Sequence, residues 1–149
     1  MTERASPATR AGFVVFYPLN TRWADNDIYG HINNVAYYAF FDSVVNRFLI
    51  EKGGMRPGQD DVVGYVVNSS ADYFSPLTYP QELELGLRVV RMGEKSVTWE
   101  IGVFGEGAEL SSVTGRFTHA FVNRDANKSA SIPPGIRRAI EALNEAAGV

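Results

Sequence analysis

The stretch from Asn34 to Lys52 constrains the fold more than any other part of the chain, because it is apolar on almost every side of a helix. Apolar residues recur there at helical spacing, namely Val35, Tyr38, Phe41, Val45, Phe48 and Leu49. The apolar face is widened by Ala36, Tyr37, Ala39, Phe40 and Val44. The pair Gly53-Gly54 ends the helix. A helix of this kind is buried, so the rest of the chain must supply its cover.

Strand patterns lie on both sides of this helix in the sequence. An edge-type first strand is predicted at 13–23, where β-branched and aromatic residues surround Pro18. Four more strands are predicted after the helix, at 61–74, 81–92, 96–104 and 110–123. Leucines alternate with polar residues in the second of these, and short glycine-containing turns favour antiparallel neighbours. The sequence therefore predicts an α+β domain in which an antiparallel sheet wraps around one long central helix.

The two ends of the chain differ in character. The segment Ile132-Pro133-Pro134 introduces a short C-terminal helix with one apolar face, which we expect to cap an edge of the sheet. That face consists of Ile136, Ile140 and Leu143. Residues 1–12 carry charge but no apolar stretch of the kind found in a signal peptide. We predict a flexible tail over 1–12 and a single domain over 13–149, located in the cytoplasm.

Charge and cysteine content exclude several classes of function. The formal net charge is −3, and no run of Lys and Arg forms the basic surface that nucleic acid or an anionic membrane requires. We therefore expect neither partner. Cysteine is absent, which excludes disulfides, thiolate metal sites and cysteine nucleophiles.

An acidic block, DNDIYGHINN, stands between the first strand and the apolar helix. Its simplest interpretation is a turn, with Asn33 or Asn34 as the N-cap of the helix. A calcium loop is a second interpretation, because Asp25, Asp27 and Gly30 occupy positions one, three and six of the EF-hand pattern. The pattern fails at position twelve, where the bidentate Glu is replaced by Ala.

A transition-metal site is a third interpretation of the same block. Its ligands would be Asp25, Asp27 and His31, with His119 as the only other histidine of the chain. Two carboxylates and one local histidine specify a metal poorly, and the sequence shows no partner that would orient the histidine. We predict no metal site.

A fourth interpretation assigns chemistry to the junction between loop and helix. The first amides of a helix lack intrahelical partners and carry positive partial charge, so they polarise a carbonyl oxygen placed against them. Asp27 would then attack the same carbonyl or activate a water molecule. Because carboxylates are weak bases, such a site suits an acyl group more reactive than an amide, and a thioester qualifies.

The block resembles that of the acyl-CoA thioesterases of the 4-hydroxybenzoyl-CoA thioesterase type, which have the hot-dog fold. The resemblance rests on Arg22-x-x-Asp25-x-Asp27-x-x-Gly30-His31-x-Asn33-Asn34-x-x-Tyr37 and on the aromatic helix and four strands that follow. It implies that Asp27 is the catalytic carboxylate and that a helix-start amide near Asn34 serves the thioester oxygen. It also implies a homodimer or a tetramer of dimers, with a continuous sheet and active sites at the subunit interface. Coenzyme A would enter as part of the substrate, and no other cofactor is expected.

Other residues have candidate roles within this interpretation. We expect Asp25 to be structural and His31 to orient the loop or touch substrate. Asp42 shares a helix face with Asn34 and Tyr38, and a buried carboxylate there would be an acyl-pocket contact or a rival catalytic group. The candidate oxyanion or substrate-binding residues are thus Gly30, His31, Asn34, Tyr38 and Asp42. The candidate contacts to coenzyme A are Arg88, Arg91, Lys95, Ser96 and Lys128.

The alternative functions, the thiol of the substrate and the oligomeric state stay open at this stage. A hot-dog hydratase or dehydratase using His31 and Asp42 is one alternative function, and a non-catalytic acyl-CoA-binding protein is another. The thiol of the substrate is either coenzyme A or acyl carrier protein. Apolar residues that one sheet layer leaves uncovered, such as Tyr37, Phe40 and Val44, would favour an obligate dimer.

Overall fold

The computed structural model describes residues 4–148 of the chain. Its elements are β1 (Val15–Asn20), α1 (Asn34–Glu51), β2 (Val62–Tyr73), β3 (Glu82–Met92), β4 (Ser96–Gly105), β5 (Val113–Asn123), β6 (Lys128–Ser129) and α2 (Pro134–Ala146). Short 3-10 turns lie at Arg10–Gly12 and Trp23–Asp25. No helix within the described part of the chain is long and apolar enough to cross a membrane.

The strands form one antiparallel sheet in the order β1-β3-β4-β5-β2, and β6 pairs with β5. The sheet curls around α1, which is the arrangement expected for a hot-dog fold. β1 lies at one edge of the sheet, as Pro18 within it predicts, because proline cannot donate a ladder hydrogen bond. β2 lies at the other edge and pairs with β5 alone.

The helix α1 packs tightly against the sheet through its aromatic side chains. Its buried residues are Tyr37, Phe40, Phe41, Val44, Val45, Phe48 and Leu49. A Cβ atom at Gly115 of β5 would lie 2.4 Å from the ring of Phe41, so glycine at this position allows the helix to approach the strand closely. The expectation that Tyr37, Phe40 and Val44 stay uncovered in one chain is wrong, because the protein's own sheet buries them.

The opposite face of α1 is exposed, together with much of β2. Val35 and Tyr38 of the helix are exposed, as are Tyr65, Val66 and Val67 of the strand. The apolar surface that lacks cover within one chain is therefore the outer face of α1 and the edge strand β2.

The two chain ends pack against the sheet. α2 buries Ile136, Ile140 and Leu143 as predicted and contacts β3. Within the predicted tail, the amide of Ala8 donates to Oγ of Ser111 at 2.9 Å, and Arg10 pairs with Glu84 at 3.0 Å. The described residues around 8–12 are thus held on the sheet, because its surface offers them hydrogen-bond partners. Residues 1–3 of that tail lie outside the described residues.

Candidate active site

The acidic block folds into a narrow loop between β1 and α1. Asn26 and Ile32 form an antiparallel bridge across its base. Inside the bridge, the amide of Asp27 donates to the carbonyl of His31 at 2.8 Å, and the amide of Gly30 donates to the carbonyl of Asp27 at 3.1 Å. Gly30 has a φ of 79°, a conformation that glycine adopts most readily. The chain therefore reverses sharply here and places Asp27 at the start of the reversal.

Asp25 holds this loop in place. Its buried carboxylate accepts hydrogen bonds from the Arg22 amide at 2.7 Å and from the Arg22 guanidinium at 2.8 Å. Its carbonyl accepts from the amide of Asn33 at 2.8 Å, which ties the loop to the start of α1. Asp25 thus connects the residues before the loop to the start of α1, which is the structural role expected for it.

Only one of the two carboxylate oxygens of Asp27 accepts a hydrogen bond from the described chain. Oδ1 accepts a hydrogen bond from the amide of Tyr29 at 2.9 Å. Oδ2 contacts no hydrogen-bond donor among residues 4–148, and the side chain is only half-buried. The carboxylate is thus oriented by its own loop and keeps an oxygen available to a reacting group.

The first turn of α1 leaves one amide without a partner. Asn33 is the N-cap, and its Oδ1 accepts from the amide of Val35 at 3.1 Å. The amide of Ala36 donates to the carbonyl of Asn33 at 2.9 Å. The amide of Asn34 donates to no acceptor in the described chain. It is therefore the helix-start donor that can bind an oxyanion.

Asp27 and Asn34 line one cleft with a volume of about 470 Å³. The acidic loop and the start of α1 form one wall, and the end of β2 and the residues after it form the other. The lining residues are Asp27, Tyr29, His31, Ile32, Asn34, Tyr37, Tyr73, Phe74, Ser75 and Pro76. The structure thus brings together three of the predicted site residues, Asp27, His31 and Asn34. Gly30 lines a separate, neighbouring depression together with Trp23 and Asn26.

Two tyrosines form an aromatic floor beside the helix start. The rings of Tyr37 and Tyr73 meet edge to face with centroids 5.6 Å apart, and the Tyr73 hydroxyl donates to the carbonyl of Asn34 at 3.3 Å. Burial, and to a smaller extent Tyr73, raises the pKa of Tyr37 to about 12, so its phenol is neutral at physiological pH. No sequence pattern indicates Tyr73 as a site residue, because it lies 39 residues after Asn34 and meets the helix start only in the folded chain.

Tyr38 and Asp42 do not line this cleft. They lie further along α1 on its exposed face, and the carboxylate of Asp42 accepts from Nδ2 of Asn46 at 3.0 Å. The expectation of a buried carboxylate at Asp42 is wrong. Helical spacing correctly places it on the face of Tyr38, but the sheet covers the other face.

The predicted coenzyme contacts also lie elsewhere in the chain. Arg88 pairs with Glu100 and donates to the carbonyl of Gly12 at 3.0 Å. Arg91, Lys95 and Ser96 lie at or near the β3–β4 turn. The other end of β3 pairs with the end of β1 that leads into the acidic loop. At the usual rise per strand residue this separates them from the loop by roughly 30 Å. Lys128 lies in β6, and none of the five candidates lines the Asp27 cleft of its own chain.

No metal cluster accompanies this loop. Among residues 4–148, no three acidic or histidine side chains are grouped so that they could hold an ion. His119 is buried on β5, and its Nδ1 accepts a hydrogen bond from Nε1 of Trp99 at 3.1 Å. It is engaged in the core, whereas His31 is exposed at the cleft.

Comparison with known proteins agrees with this architecture. The family model of the thioesterase-like superfamily matches residues 21–140. The solved structure of the PA5185 protein from Pseudomonas aeruginosa strain PAO1 is 48% identical, covers 93% of this chain and 96% of its own, and superposes with a TM-score of 0.90.

Two more distant structures share the fold. The gentisyl-coenzyme A thioesterase BH1999 is 19% identical, with coverage of 85% of this chain and 99% of its own and a TM-score of 0.74. The 1,4-dihydroxy-2-naphthoyl-CoA thioesterase Slr0204 from Synechocystis is 16% identical, with coverage of 87% and 96% and a TM-score of 0.78. The family match extends from the acidic loop to α2. The chain therefore belongs to the thioesterase-like superfamily, as a hot-dog hydrolase acting on thioester bonds.

Proposed function

We propose that the protein hydrolyses an acyl-CoA thioester to a free acid and coenzyme A, with Asp27 as the catalytic carboxylate. The observation that carries this proposal is the shared cleft of Asp27 and Asn34. Asp27 supplies a carboxylate oxygen that accepts no hydrogen bond, and Asn34 supplies an amide that donates none within the described chain. Hydrolysis of a thioester requires both groups, because the carbonyl carbon must be attacked and the carbonyl oxygen must be stabilised by a hydrogen-bond donor.

Two routes to the products use the same geometry. In the first, a carboxylate oxygen of Asp27 attacks the carbonyl carbon, the thiolate of coenzyme A leaves, and water then hydrolyses the acyl anhydride. In the second, Asp27 removes a proton from a water molecule, whose oxygen attacks the carbonyl directly while the thiolate leaves. The amide of Asn34 donates to the negative oxygen that develops in either route.

The aromatic lining of the cleft favours a flat, aromatic acyl group. Tyr29, Tyr37, Tyr73 and Phe74 line the cleft, and aromatic rings pack well edge to face or offset with another ring. Two proteins of the same fold are described as thioesterases of gentisyl-CoA and of 1,4-dihydroxy-2-naphthoyl-CoA, which are both aromatic. We therefore rank aromatic thioesters first among substrates, with coenzyme A ahead of acyl carrier protein as the thiol.

We further propose a homodimer that completes this cleft. The free edge of β2 ends at the cleft wall, and its residues Tyr65, Val66 and Val67 are exposed together with Val35 and Tyr38 of α1. An exposed edge strand with apolar side chains is a template for pairing with a second strand. Pairing β2 with the same strand of a second copy would cover this surface and extend the sheet.

The test is a panel of aromatic and aliphatic acyl-CoA substrates, followed by release of free thiol, with Asp27→Asn beside the wild type. Activity that depends on Asp27 supports the proposal. An equally active Asp27→Asn protein would overturn it. The hydratase alternative requires His31 and Asp42 to act on one substrate, and only His31 lies in the cleft.

A further inference from the structure

The segment between β2 and β3 forms hydrogen bonds to the acidic loop on both sides of Asp27. Thr78 donates its hydroxyl hydrogen to the carbonyl of Gly30 at 2.8 Å. The same hydroxyl oxygen accepts from Nδ2 of Asn26 at 3.2 Å. One hydroxyl group therefore bridges two points of the loop, one immediately before Asp27 and one three residues after it.

The remaining contacts make this connection rigid. Oδ1 of Asn26 accepts from the amide of Tyr79 at 3.0 Å, so both polar atoms of the Asn26 side chain are engaged. The amide of Ile32 donates to the carbonyl of Leu77 at 2.8 Å. Thr78 is itself fixed, because its amide donates to Oε1 of Gln81 at 2.9 Å.

Apart from its internal hydrogen bonds, the tip of the loop has few contacts with the rest of the chain. Ile28 and Tyr29 are exposed, and no Cβ at Gly30 would meet another atom within 4 Å. Core packing therefore does not fix the tip of the loop. Hydrogen bonds within the loop set the shape of the turn. The hydrogen bonds to the segment after β2 fix the position of that turn against the rest of the chain, and those of Thr78 flank Asp27.

We propose that Thr78 and Asn26 are positioning residues that hold the Asp27 carboxylate in register with the Asn34 amide. The inference rests on the proposed function, in which Asp27 and Asn34 act on one carbonyl group. A misplacement of about 1 Å in such a pair lowers the rate by up to about a hundredfold. Loss of the Thr78 hydroxyl removes the two hydrogen bonds that flank Asp27, whereas the start of α1 keeps its own cap on Asn33.

The experiment compares Thr78→Val, which removes the hydroxyl at nearly constant volume, with Thr78→Ser, which keeps it. Thr118→Val is the matched control, because its hydroxyl is hydrogen-bonded to that of Thr98 on neighbouring strands and does not line the cleft. We expect Thr78→Val to lower kcat by roughly ten- to a hundredfold with little change in KM, the range for a misplaced catalytic group. Thr78→Ser and the control should stay close to wild type.

A double-mutant cycle separates positioning from general stability. In an Asp27→Asn background, Thr78→Val should lower the residual hydrolysis no further, because the group that Thr78 positions is already lost. An equal loss in both backgrounds, or a wild-type kcat for Thr78→Val, would overturn this inference while the loss of activity in Asp27→Asn upholds the proposed function. Full activity of Asp27→Asn would overturn both.

Asn26→Ala provides a second route if Thr78→Val does not fold. It removes two hydrogen bonds from a half-buried side chain and leaves the bond from Thr78 to Gly30 intact. We expect a smaller loss of kcat than for Thr78→Val, and again none in the Asp27→Asn background. A loss that persists in that background would contradict the inference.

Discussion

The amide of Tyr29 donates to Oδ1 of Asp27 at 2.9 Å, so the candidate catalytic carboxylate is oriented by the backbone two residues further along its own loop. This is a common arrangement for aspartate in turns and would by itself indicate only a structural role. Its second oxygen distinguishes Asp27 from Asp25, whose carboxylate is buried and engaged by Arg22. The two acidic residues of one short block therefore have different environments and different expected functions.

Asp27→Asn tests the catalytic role without disturbing the loop. The Asn side chain keeps an oxygen that can accept from the Tyr29 amide, so we expect the variant to fold and to bind acyl-CoA. Hydrolysis should fall by at least about a hundredfold, because a positioned base or nucleophile is lost. Thiol release under saturating substrate measures the rate, and a separate binding measurement checks affinity. Asp42→Asn, measured beside it, should lose far less activity because Asp42 lies outside the cleft.

Gly115→Ala tests the close approach of α1 to the sheet. The added Cβ would overlap the ring of Phe41, which is fully buried. We expect the free energy of unfolding to fall by about 1–3 kcal/mol, the usual range for overpacking a core. Gly93→Ala is the control, because its nearest neighbour would be 3.4 Å away and its φ is not in the left-handed region. Equal stability of the two variants in urea unfolding would contradict this account of the packing.

Much of the fold was predictable because it follows from local patterns. The long apolar helix had to be buried against other elements. Alternating leucines in a segment such as 81–92 indicated a sheet with one apolar face packed on the core. Pro18 correctly indicated an edge strand. The packing of Ala8 and Arg10 on the sheet was missed, because a charged and proline-containing segment carries no periodic pattern.

The site was predictable only where its residues are close in sequence. Asp27, His31 and Asn34 belong to one block, and the cap geometry of the helix brings them together. Helical spacing could not say which face of α1 the sheet covers, so Asp42 was wrongly expected to be buried. The contribution of Thr78 depends on a long-range contact between two loops, for which the sequence gives no signal.

Buried His119 predicts a measurable dependence of stability on pH. Burial lowers the pKa of His119 below its usual value near 6.5, and the charge of Asp42 opposes this only in part. The unfolded chain therefore binds a proton at a higher pH than the folded chain does. Stability from this group is fully present above about pH 6.5 and decreases as the pH falls below that value, by at most about 1.4 kcal/mol per pH unit.

His119→Gln isolates this contribution, because glutamine keeps an acceptor for the Trp99 indole but does not titrate. Urea unfolding between about pH 5 and 7.5 should show a weaker pH dependence in this variant than in the wild type. His31→Gln replaces the only other histidine, which is exposed, and serves as the control. An unchanged pH dependence in His119→Gln would show that other groups cause it.

The exposed edge of β2 predicts the oligomeric state. Val67 lies at a bulge of this strand and is 62% exposed, so a lysine there is compatible with a folded single chain. In a dimer that pairs the two β2 edges, Val67→Lys would place a charge in an interface that excludes water, which disfavours association. We expect wild-type protein to sediment as a dimer or larger at low micromolar concentration, and Val67→Lys to shift towards monomer with reduced hydrolysis. Val90→Lys, at an exposed valine of β3, should leave the assembly unchanged. A wild-type protein that sediments as a folded, fully active monomer would contradict both the β2 interface and the proposal that a second copy completes the cleft.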